Sequence, residues 1–282
     1  MREDRASFTA EVVALWRAIA DRGATHVPGF RDPVAERMLG RLTRTFYRRF
    51  QRRMDGMPPE ERRNALPAAD FLVVRVAVID RELADAVQHG CEQVVVLGAG
   101  YDTRAWRMPA LRDATVWEVD HPSTQARKQQ CILGAPLFAG DVRFVPVDFA
   151  RDGLGEALAR AGHDAGAPTV WVWEGVVMYL PDAALRQTLA ALAARSAVGS
   201  RLILHYHEPG RRSVARSVFF RAIGERQVGL RPRAQITAEV ERVGLRVERD
   251  LGIDAQAELV GAGGKVRPRG TARTSRILVA TR

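Results

Sequence analysis

From about residue 90 onward, the apolar positions alternate between the period of a β-strand and the period of an α-helix. Short runs rich in β-branched and aromatic residues are separated by longer segments in which apolar residues recur every three or four positions. The predicted strands are Gln93–Leu97, Thr115–Glu118, Arg143–Pro146, Thr169–Trp173, Arg201–His205, Leu245–Arg249 and Ser275–Thr281. Strands that alternate with helices predict an α/β fold with a mainly parallel, seven-stranded sheet covered on both faces.

The first 90 residues follow a helical period instead. Residues 6–56 predict helices interrupted near His26–Gly29, and one of these helices spans Pro33–Met54. A further helix is predicted at Asp70–His89, and another at Asp182–Arg195 after Pro181, a residue suited to a helix start.

We interpret residues 1–282 as one domain with four parts. Residues 1–90 form an N-terminal helical part, 91–207 a ligand-binding core, 208–234 a helical cap after the fifth strand, and 235–282 complete the core. The cap segment contains Phe219 and Phe220, and Gly252–Arg273 predicts a mobile loop. Ligands collect at the carboxyl ends of strands in open α/β sheets, so the cap is a candidate lid.

Composition narrows the compartment and the partners. The chain is 46% hydrophobic, yet no apolar run approaches the length of a membrane span, so no membrane partner is expected. Cys91 and Cys131 offer neither a disulfide framework nor metal-ligand spacing. The N-terminus lacks a secretory apolar core. A cytoplasmic location is the expectation.

The net charge of +10 comes mostly from arginine in a chain with many Ala, Gly and Val residues, so it indicates an acidic partner only weakly. Its placement is more informative, because five arginines share one face of the predicted Pro33–Met54 helix, opposite five apolar residues. The arginines are Arg37, Arg41, Arg44, Arg48 and Arg52, and the apolar residues are Met38, Leu39, Leu42, Phe46 and Phe50. Two interpretations remain open: a solvated outer face, or a docking face for an acidic protein partner. No nucleic-acid motif accompanies the arginines, so nucleic acid is disfavoured.

The strongest chemical motif runs from Val94 to Arg104. A hydrophobic strand leads directly into Gly98-Ala99-Gly100, where missing side chains let a ligand approach the backbone. Gly-x-Gly also makes ordinary strand-to-helix turns. A dinucleotide site would carry a third glycine at position 103, where this chain has Thr103, so the motif disfavours a nicotinamide cofactor.

Asp120 ends the next predicted strand, about 20 residues after the glycines, which is the spacing at which an acid meets ribose hydroxyls in a Rossmann-like sheet. This acid indicates a nucleoside-bearing cofactor. The alternative is that Asp120 caps the helix that begins with His121-Pro122.

Together, Gly98-Ala99-Gly100-Tyr101-Asp102-Thr103-Arg104-Ala105-Trp106-Arg107 and Glu118-Val119-Asp120-His121-Pro122 resemble the leucine carboxyl methyltransferase family. The resemblance runs from about Asp32 to Leu180. It implies a Rossmann-like fold and an S-adenosyl-L-methionine cofactor. It also implies methyl transfer to an oxygen, as in carboxyl methyltransferases that act on protein termini or on secondary metabolites.

The resemblance also implies site residues. The implied cofactor-binding residues are Arg22, Arg75, Gly98, Ala99, Gly100, Asp120, Asp148, Phe149 and Glu174. Arg75 would hold the methionine carboxylate with paired hydrogen bonds. Asp148 and Phe149 would hold the adenine, and Glu174 would accept from the cofactor's ammonium group. Arg22 is the nearest candidate for a cation that the family places in its N-terminal helices.

Each assignment has a structural alternative: a surface arginine for Arg75, and a turn cap for Asp148. Tyr179 matches a tyrosine near the family's acceptor pocket, and packing in the core is its alternative.

The segment His205-Tyr206-His207 departs from many bacterial relatives, which carry an acid at position 205. Residues two apart on a strand share a face, so the two histidines are predicted to lie side by side. No third ligand has convincing spacing, and no metal is expected. These three residues and Tyr179 are the candidate catalytic residues, as acceptor contacts or as a base. A structural role is the alternative for each histidine.

The sequence therefore predicts a methyltransferase that forms a methyl ester on a small-molecule carboxylate. Methyl transfer to an ionised carboxylate needs no base, and no evident base constellation is present. Arg104, Arg211 and Arg212 would form a cationic acceptor pocket. The alternatives are a hydroxyl acceptor, a protein C-terminal carboxylate, and a cofactor-binding partner protein without catalysis.

Overall fold

The computed structural model describes residues 8–66, 70–149, 152–210, 228–266 and 270–282. Its strands are β1 (Gln93–Leu97), β2 (Thr115–Asp120), β3 (Asp141–Pro146), β4 (Thr169–Trp173), β5 (Arg201–His207), β6 (Arg246–Gly252) and β7 (Ser275–Thr281). They form one sheet in the order β3-β2-β1-β4-β5-β7-β6. The first five strands are parallel, and β7 runs antiparallel to both β5 and β6. This confirms the predicted Rossmann-like, mainly parallel sheet.

Helices cover both faces of this sheet. They are α1 (Phe8–Asp21), α2 (Arg41–Asp55), α3 (Pro59–Arg63), α4 (Asp70–Gln88), α5 (Pro122–Ile132), α6 (Leu154–Arg160), α7 (Asp182–Ala194), α8 (Arg233–Arg242) and α9 (Ile253–Leu259). Short 3-10 turns lie at Ala35–Met38, Arg104–Trp106, Pro109–Leu111, Val177–Tyr179 and Gly270–Thr274. Strands β1 and β4 are buried along their whole length, as expected for central parallel strands with helices on both sides.

Alternation along β5 shows how the sheet divides its residues. Ile203 packs into the core beneath α1 and α4, whereas Leu202, Leu204 and Tyr206 pack into the core beneath α6 and α7. Side chains two apart share a face of a strand. His205 and His207 accordingly lie side by side on the Ile203 face, with ring centroids 4.9 Å apart, as the sequence predicts.

The predicted helix over Pro33–Met54 is wrong in its first third. The structure has a 3-10 turn at Ala35–Met38, then an extended Leu39 (φ −76°, ψ 129°), and begins α2 only after Gly40. The Gly40 amide donates to Glu11 Oε1 over 2.9 Å. Because the extended Leu39 interrupts the helical period, the residues of α2 that face the core cannot be extrapolated from the positions before Leu39.

That restart changes which side chains are buried. Tyr47 and Met54 of α2 face the core, whereas Leu42 and Phe46, predicted on the buried side, are 88% and 50% exposed.

Two other predicted segments differ from the structure or lie outside it. The predicted loop over Gly252–Arg273 contains α9 and a 3-10 turn, because the buried Ile253, Gln256 and Ala257 recur at helical spacing. In the predicted cap, residues 211–227 lie outside the described residues, and with them Phe219 and Phe220.

Candidate functional site

A cavity of about 1090 Å³ opens at the carboxyl ends of the central strands. Its walls come from α1, α4, the loops that follow β1, β2, β3 and β4, and the start of α7. Cavities at this edge of an open α/β sheet are where ligands bind, because the strand order reverses there and the loops diverge. Both polar and apolar side chains line this cavity.

The glycine turn after β1 forms the cavity floor. Gly98 adopts φ +66° and Gly100 φ +47°, a backbone region that suits glycine. A Cβ built on Gly98 would lie 2.3 Å from Val176 Cγ2, so the turn also needs glycine for space. The predicted close approach of the backbone to a ligand is available here, since Gly98, Ala99 and Gly100 all line the cavity.

Asp120 stands beside this turn at the end of β2. Its carboxylate accepts from the Gly100 amide through Oδ2 and from the His121 amide over 2.6 Å through Oδ1. Burial raises the pKa of Asp120, and these two amide donors oppose the shift. The capping alternative does not hold, because His121 is the N-cap of α5 and accepts from the Ser123 amide. Asp120 lines the cavity and joins the two loops.

Asp148 and Phe149 lie on the same side of the cavity, after β3. The turn that follows is closed by Asp152, whose Oδ2 accepts from the Asp148 amide over 2.8 Å. Among the described residues, Asp152 thus contributes a side-chain cap to this turn. The structure brings Asp148 and Phe149 together with Asp120, as the sequence predicts.

Arg75 and Glu174 meet at the other polar end of the cavity, across 99 positions of sequence. The Nε of Arg75, on α4, donates to Glu174 Oε1 over 2.7 Å, and Arg104 Nη2 donates to Glu174 Oε2 over 2.7 Å. Burial opposes ionisation of Glu174, but Arg75 and Arg104 hold the pKa of its carboxyl below the usual value. Glu174 is thus an ionised carboxylate held by two arginines.

This pair is one end of a continuous arginine–carboxylate chain beneath the cavity. The members are Arg17, Asp32, Arg107, Asp80, Arg104, Asp102, Glu174 and Arg75, each within ion-pair distance of another member. Four arginines balance four carboxylates, so this arginine–carboxylate chain has no net charge. Arg104 contacts three of the carboxylates and is 2% exposed, and those carboxylates raise its pKa against the opposing effect of burial. The Asp102-Thr103-Arg104 motif is therefore structural: it fixes the polar end of the cavity.

The N-terminal cation at the cavity is Arg17, and the structure does not bring Arg22 there. Arg22 is exposed and donates to the Tyr47 hydroxyl over 3.4 Å. Arg17 lines the cavity and donates to Asp32, to the Thr103 hydroxyl and to the Tyr101 carbonyl. One sequence signal favoured Arg17: it lies three positions after Ala14 and three before Ala20, both of which are buried, on the inward face of α1.

Five members of the arginine–carboxylate chain were not predicted as site residues from the sequence: Arg17, Asp32, Asp80, Asp102 and Arg107. Asp80 is an acid within the largely apolar helix α4, and Asp32 marks the start of the family resemblance. A charged residue on an apolar helical face is the signal that indicates such buried partners.

The three predicted residues on β5 separate into two environments. His207 lines the cavity, and its Nδ1 lies 3.1 Å from the Thr274 hydroxyl. His205 lies beneath the loop after β4: its Nδ1 accepts from the Gly175 amide (3.3 Å), and its Nε2 is 3.1 Å from Ser275 Oγ. Burial and then the positive charge of Arg75 lower the pKa of His205, so it is a neutral residue that supports the loop.

Tyr206 faces away from the cavity, on the other side of the sheet. Its hydroxyl donates to Asp250 Oδ2 over 2.7 Å, and its side chain is fully buried. The alternation of β5 allows either the histidines or Tyr206 to face the cavity, and the structure gives that face to the histidines. We therefore assign Tyr206 a structural role.

The remaining cavity wall is largely apolar, and we call it the apolar half. Its residues are Val12, Val13, Trp16, Phe71, Leu72, Met178, Tyr179, Leu180, Pro181, Ala183, Ala184 and Val228. Tyr179 lies here, at the end of a 3-10 turn, together with Gln187 and His207. The described arginines that line the cavity, Arg17, Arg75 and Arg104, are all paired with carboxylates of the chain. Arg104 is therefore not available as an acceptor cation, and Arg211 and Arg212 lie outside the described residues.

The described residues provide neither a metal-ligand cluster nor a membrane-spanning helix. They contain no cluster of three or more His, Cys, Asp or Glu side chains that could hold a metal ion. None of the helices in the described ranges is long and apolar enough to cross a bilayer.

Proteins of similar sequence carry methyltransferase names. A protein from Mycobacterium bovis is 37% identical over 202 residues, and one from Frankia alni is 37% identical over 209 residues. Both carry the name "putative S-adenosyl-L-methionine-dependent methyltransferase". The first match covers 70% of this chain and 64% of the mycobacterial protein, which is less than two thirds of its length. The second covers 71% of this chain and 69% of the Frankia protein.

Solved structures share the fold at low identity. A DUF574 family protein from Streptomyces avermitilis superposes with a TM-score of 0.63 at 14% identity, covering 99% of both chains. A "putative methyltransferase" from Thermobifida fusca gives a TM-score of 0.58 at 13% identity, covering 100% of this chain and 96% of that one. The family model described as leucine carboxyl methyltransferase matches residues 10–193, which include the glycine turn, Asp120, Asp148 and Glu174. The chain belongs to the leucine carboxyl methyltransferase family.

Proposed function

We propose that this chain is an S-adenosyl-L-methionine-dependent O-methyltransferase, with a carboxylate of a small molecule as its methyl acceptor. The main observation in support is that three polar elements and the apolar half line the same cavity. These elements are the glycine turn with Asp120, the Asp148–Phe149 pair, and the Arg75–Glu174 pair.

The residues present fit this cofactor. Gly98, Gly100 and Asp120 line the cavity, where the glycines would let the cofactor approach the backbone and Asp120 would accept hydrogen bonds from its ribose hydroxyls. Glu174 accepts a hydrogen bond from Nε of Arg75. The two terminal nitrogens of Arg75 have no other partner among the described residues, so they suit a methionine carboxylate. Glu174 is ionised, and each of its oxygens has a second lone pair for an ammonium group.

When bound, the cofactor supplies a methyl group already activated by its sulfonium. The protein's task is then to orient the acceptor and to exclude water. The apolar half suits both tasks, since it can hold the body of an apolar acceptor against Trp16 and Met178. Tyr179 and Gln187 are the polar groups that would direct a carboxylate towards the cofactor.

His207 favours a second candidate, a hydroxyl acceptor. A hydroxyl must lose its proton during transfer, and an imidazole is suited to accept it near neutral pH. His207 lines the cavity and is positioned through Nδ1 by Thr274. A carboxylate is already ionised and has no such requirement.

The first experiment is titration calorimetry with S-adenosyl-L-homocysteine. We expect saturable one-site binding, whereas absence of binding, or tighter binding of a nicotinamide dinucleotide, would overturn the cofactor assignment. Binding without transfer to any acceptor would support the alternative of a cofactor-binding partner protein.

The second experiment compares acceptors that share one apolar body, an aromatic acid and the phenol of the same ring, by mass spectrometry of the products. A carboxylate acceptor predicts a base-labile methyl ester and a rate nearly unchanged in His207→Gln. A hydroxyl acceptor predicts a base-stable ether and a loss of about 10²-fold or more in His207→Gln. A peptide with a free C-terminal leucine tests the protein-tail alternative, and methylation of this peptide alone would overturn the small-molecule assignment.

A further inference from the structure

The outer surface of α2 carries an unneutralised positive charge. Its six arginines are Arg41, Arg44, Arg48, Arg49, Arg52 and Arg53, all of them exposed. None of these six forms an ion pair with another described residue, whereas the arginines beneath the cavity are all paired. Its one acid, Asp55, is the last residue of α2.

This arrangement costs the free protein stability. Like charges three or four positions apart on a helix repel each other by a few tenths of a kcal/mol per pair. Arg44 and Arg48, Arg48 and Arg52, and Arg49 and Arg53 all have this spacing. A surface of opposite charge would relieve the repulsion.

Two large apolar side chains lie among these arginines. Leu42 and Phe46 are one helical turn apart and 88% and 50% exposed, and the Phe46 ring stacks on Phe50 at a centroid distance of 6.3 Å. At 100° per residue, Arg49 and Arg53 fall on the same flank of α2 as Leu42 and Phe46. Phosphate contacts to a nucleic acid would use the arginines but not these apolar side chains.

We propose that this flank of α2 binds the surface of an anionic phospholipid bilayer. Leucine and phenylalanine that enter the boundary between headgroups and acyl chains, with arginines at the phosphates, are the features of an interfacial helix. The exposure of Leu42 and Phe46 is what changes the expectation from sequence, which places them on a buried face and predicts no membrane partner.

The position of α2 beside the cavity supports this partner. Glu11 of α1 accepts from the Gly40 amide and the Thr43 hydroxyl at the start of α2, and its neighbour Ala10 lines the cavity. Helix α1 thus contacts α2 and also contributes Val12, Val13 and Trp16 to the apolar half of the cavity. An acceptor with an apolar body partitions into bilayers, so the two features suit the same class of compound.

Vesicle co-sedimentation of the full chain tests the proposal, with vesicles of phosphatidylcholine alone or mixed with phosphatidylglycerol. We expect binding to the mixed vesicles, weakening as salt rises, and little binding to phosphatidylcholine. Each arginine near an anionic surface contributes about fivefold in affinity (~1 kcal/mol), so Arg49→Gln/Arg52→Gln/Arg53→Gln is expected to bind roughly a hundredfold more weakly. Leu42→Ser/Phe46→Ser is expected to bind the mixed vesicles about tenfold more weakly, because two apolar side chains are no longer transferred from water into the bilayer.

The matched control removes the same charge elsewhere. Arg112, Arg160 and Arg246 are exposed and lie at or before the amino ends of β2, β4 and β6, at the opposite edge of the sheet. Arg112→Gln/Arg160→Gln/Arg246→Gln is expected to bind within a few-fold of the parent. Equal losses in both triple variants would reduce the effect to net charge and overturn the proposal.

Two further outcomes would also overturn it. One is full vesicle binding by Leu42→Ser/Phe46→Ser. The other is tighter binding of a 20-base-pair DNA duplex or an acidic protein such as calmodulin, lost in the α2 arginine variant. Thermal melting of every variant checks that the fold is intact, and vesicle binding is measured without methyl transfer, so the two proposals fail separately.

Discussion

Part of the cavity lining belongs to a continuous chain of four arginines and four carboxylates, whereas other lining residues, among them Trp16, Phe71 and Met178, present apolar surface. The polar end is fixed before any ligand arrives, because each member of the chain is oriented by a charged partner. The apolar half has few directional contacts, so it selects by shape and by the loss of water. The difference suggests a common cofactor at the polar end and a variable acceptor at the apolar half.

The largest expected effect comes from breaking the arginine–carboxylate chain. Arg104→Met leaves three mostly buried carboxylates, Asp80, Asp102 and Glu174, without their shared cation, and removing one partner of a buried pair costs about 3–5 kcal/mol. Urea denaturation measures the loss in free energy of unfolding. Arg160→Gln is the control, because Arg160 is exposed and 4.0 Å from Glu156, and it is expected to unfold like the parent. If Arg104→Met unfolds at the same urea concentration as the parent, the arginine–carboxylate chain does not stabilise this part of the cavity.

The second prediction separates the two ends by ligand. If Arg75 holds the methionine carboxylate as proposed, Arg75→Gln removes a charged hydrogen bond to it, so S-adenosyl-L-homocysteine should bind roughly 30- to 100-fold more weakly, about 2–3 kcal/mol. Trp16→Leu should leave that affinity within about twofold and raise the KM for the acceptor instead. Calorimetry and initial rates measure the two quantities. Equal effects of both variants on cofactor affinity would contradict the division of the cavity.

The third prediction concerns His205, which joins the polar end to β5. Burial, Arg75 and His207 lower its pKa in the folded protein, so the neutral form stabilises the fold above about pH 6.5, the unfolded value. As pH falls below 6.5, this contribution decreases by up to ~1.4 kcal/mol per pH unit. Urea denaturation between pH 7.5 and 5.5 measures the slope, and His205→Asn should flatten it. An unchanged slope in His205→Asn would assign the pH dependence to other groups.

The smallest effect is expected from Tyr206→Phe. It removes the hydrogen bond to Asp250 and should cost about 1 kcal/mol of unfolding free energy. Because Tyr206 faces away from the cavity, methyl transfer should be unchanged, and a loss of activity in this variant would return Tyr206 to the candidate catalytic residues.

Much of the fold was predictable because the central strands carry a strong local signal. Buried parallel strands are continuous apolar runs, and the parallel strands β1 and β4 have the bounds that the sequence predicts, as does the antiparallel strand β7. The helical period failed where one residue broke it. Leu39 adopts an extended conformation, and the one local signal for a break there is the following Gly40, which is the N-cap of α2.

The sequence by itself determined the sheet, the glycine turn and the acids that follow the strands, because each depends on residues adjacent in the chain. Only the tertiary structure decided which cation lies at the cavity and which face of β5 meets it. It also decided that Arg104 is taken up by three carboxylates and that Leu42 and Phe46 reach the surface. Those outcomes depend on contacts between residues tens of positions apart, such as Arg17 with Thr103 and Arg75 with Glu174. Local propensity carries no information about such pairs, since their energy exists only once the elements pack.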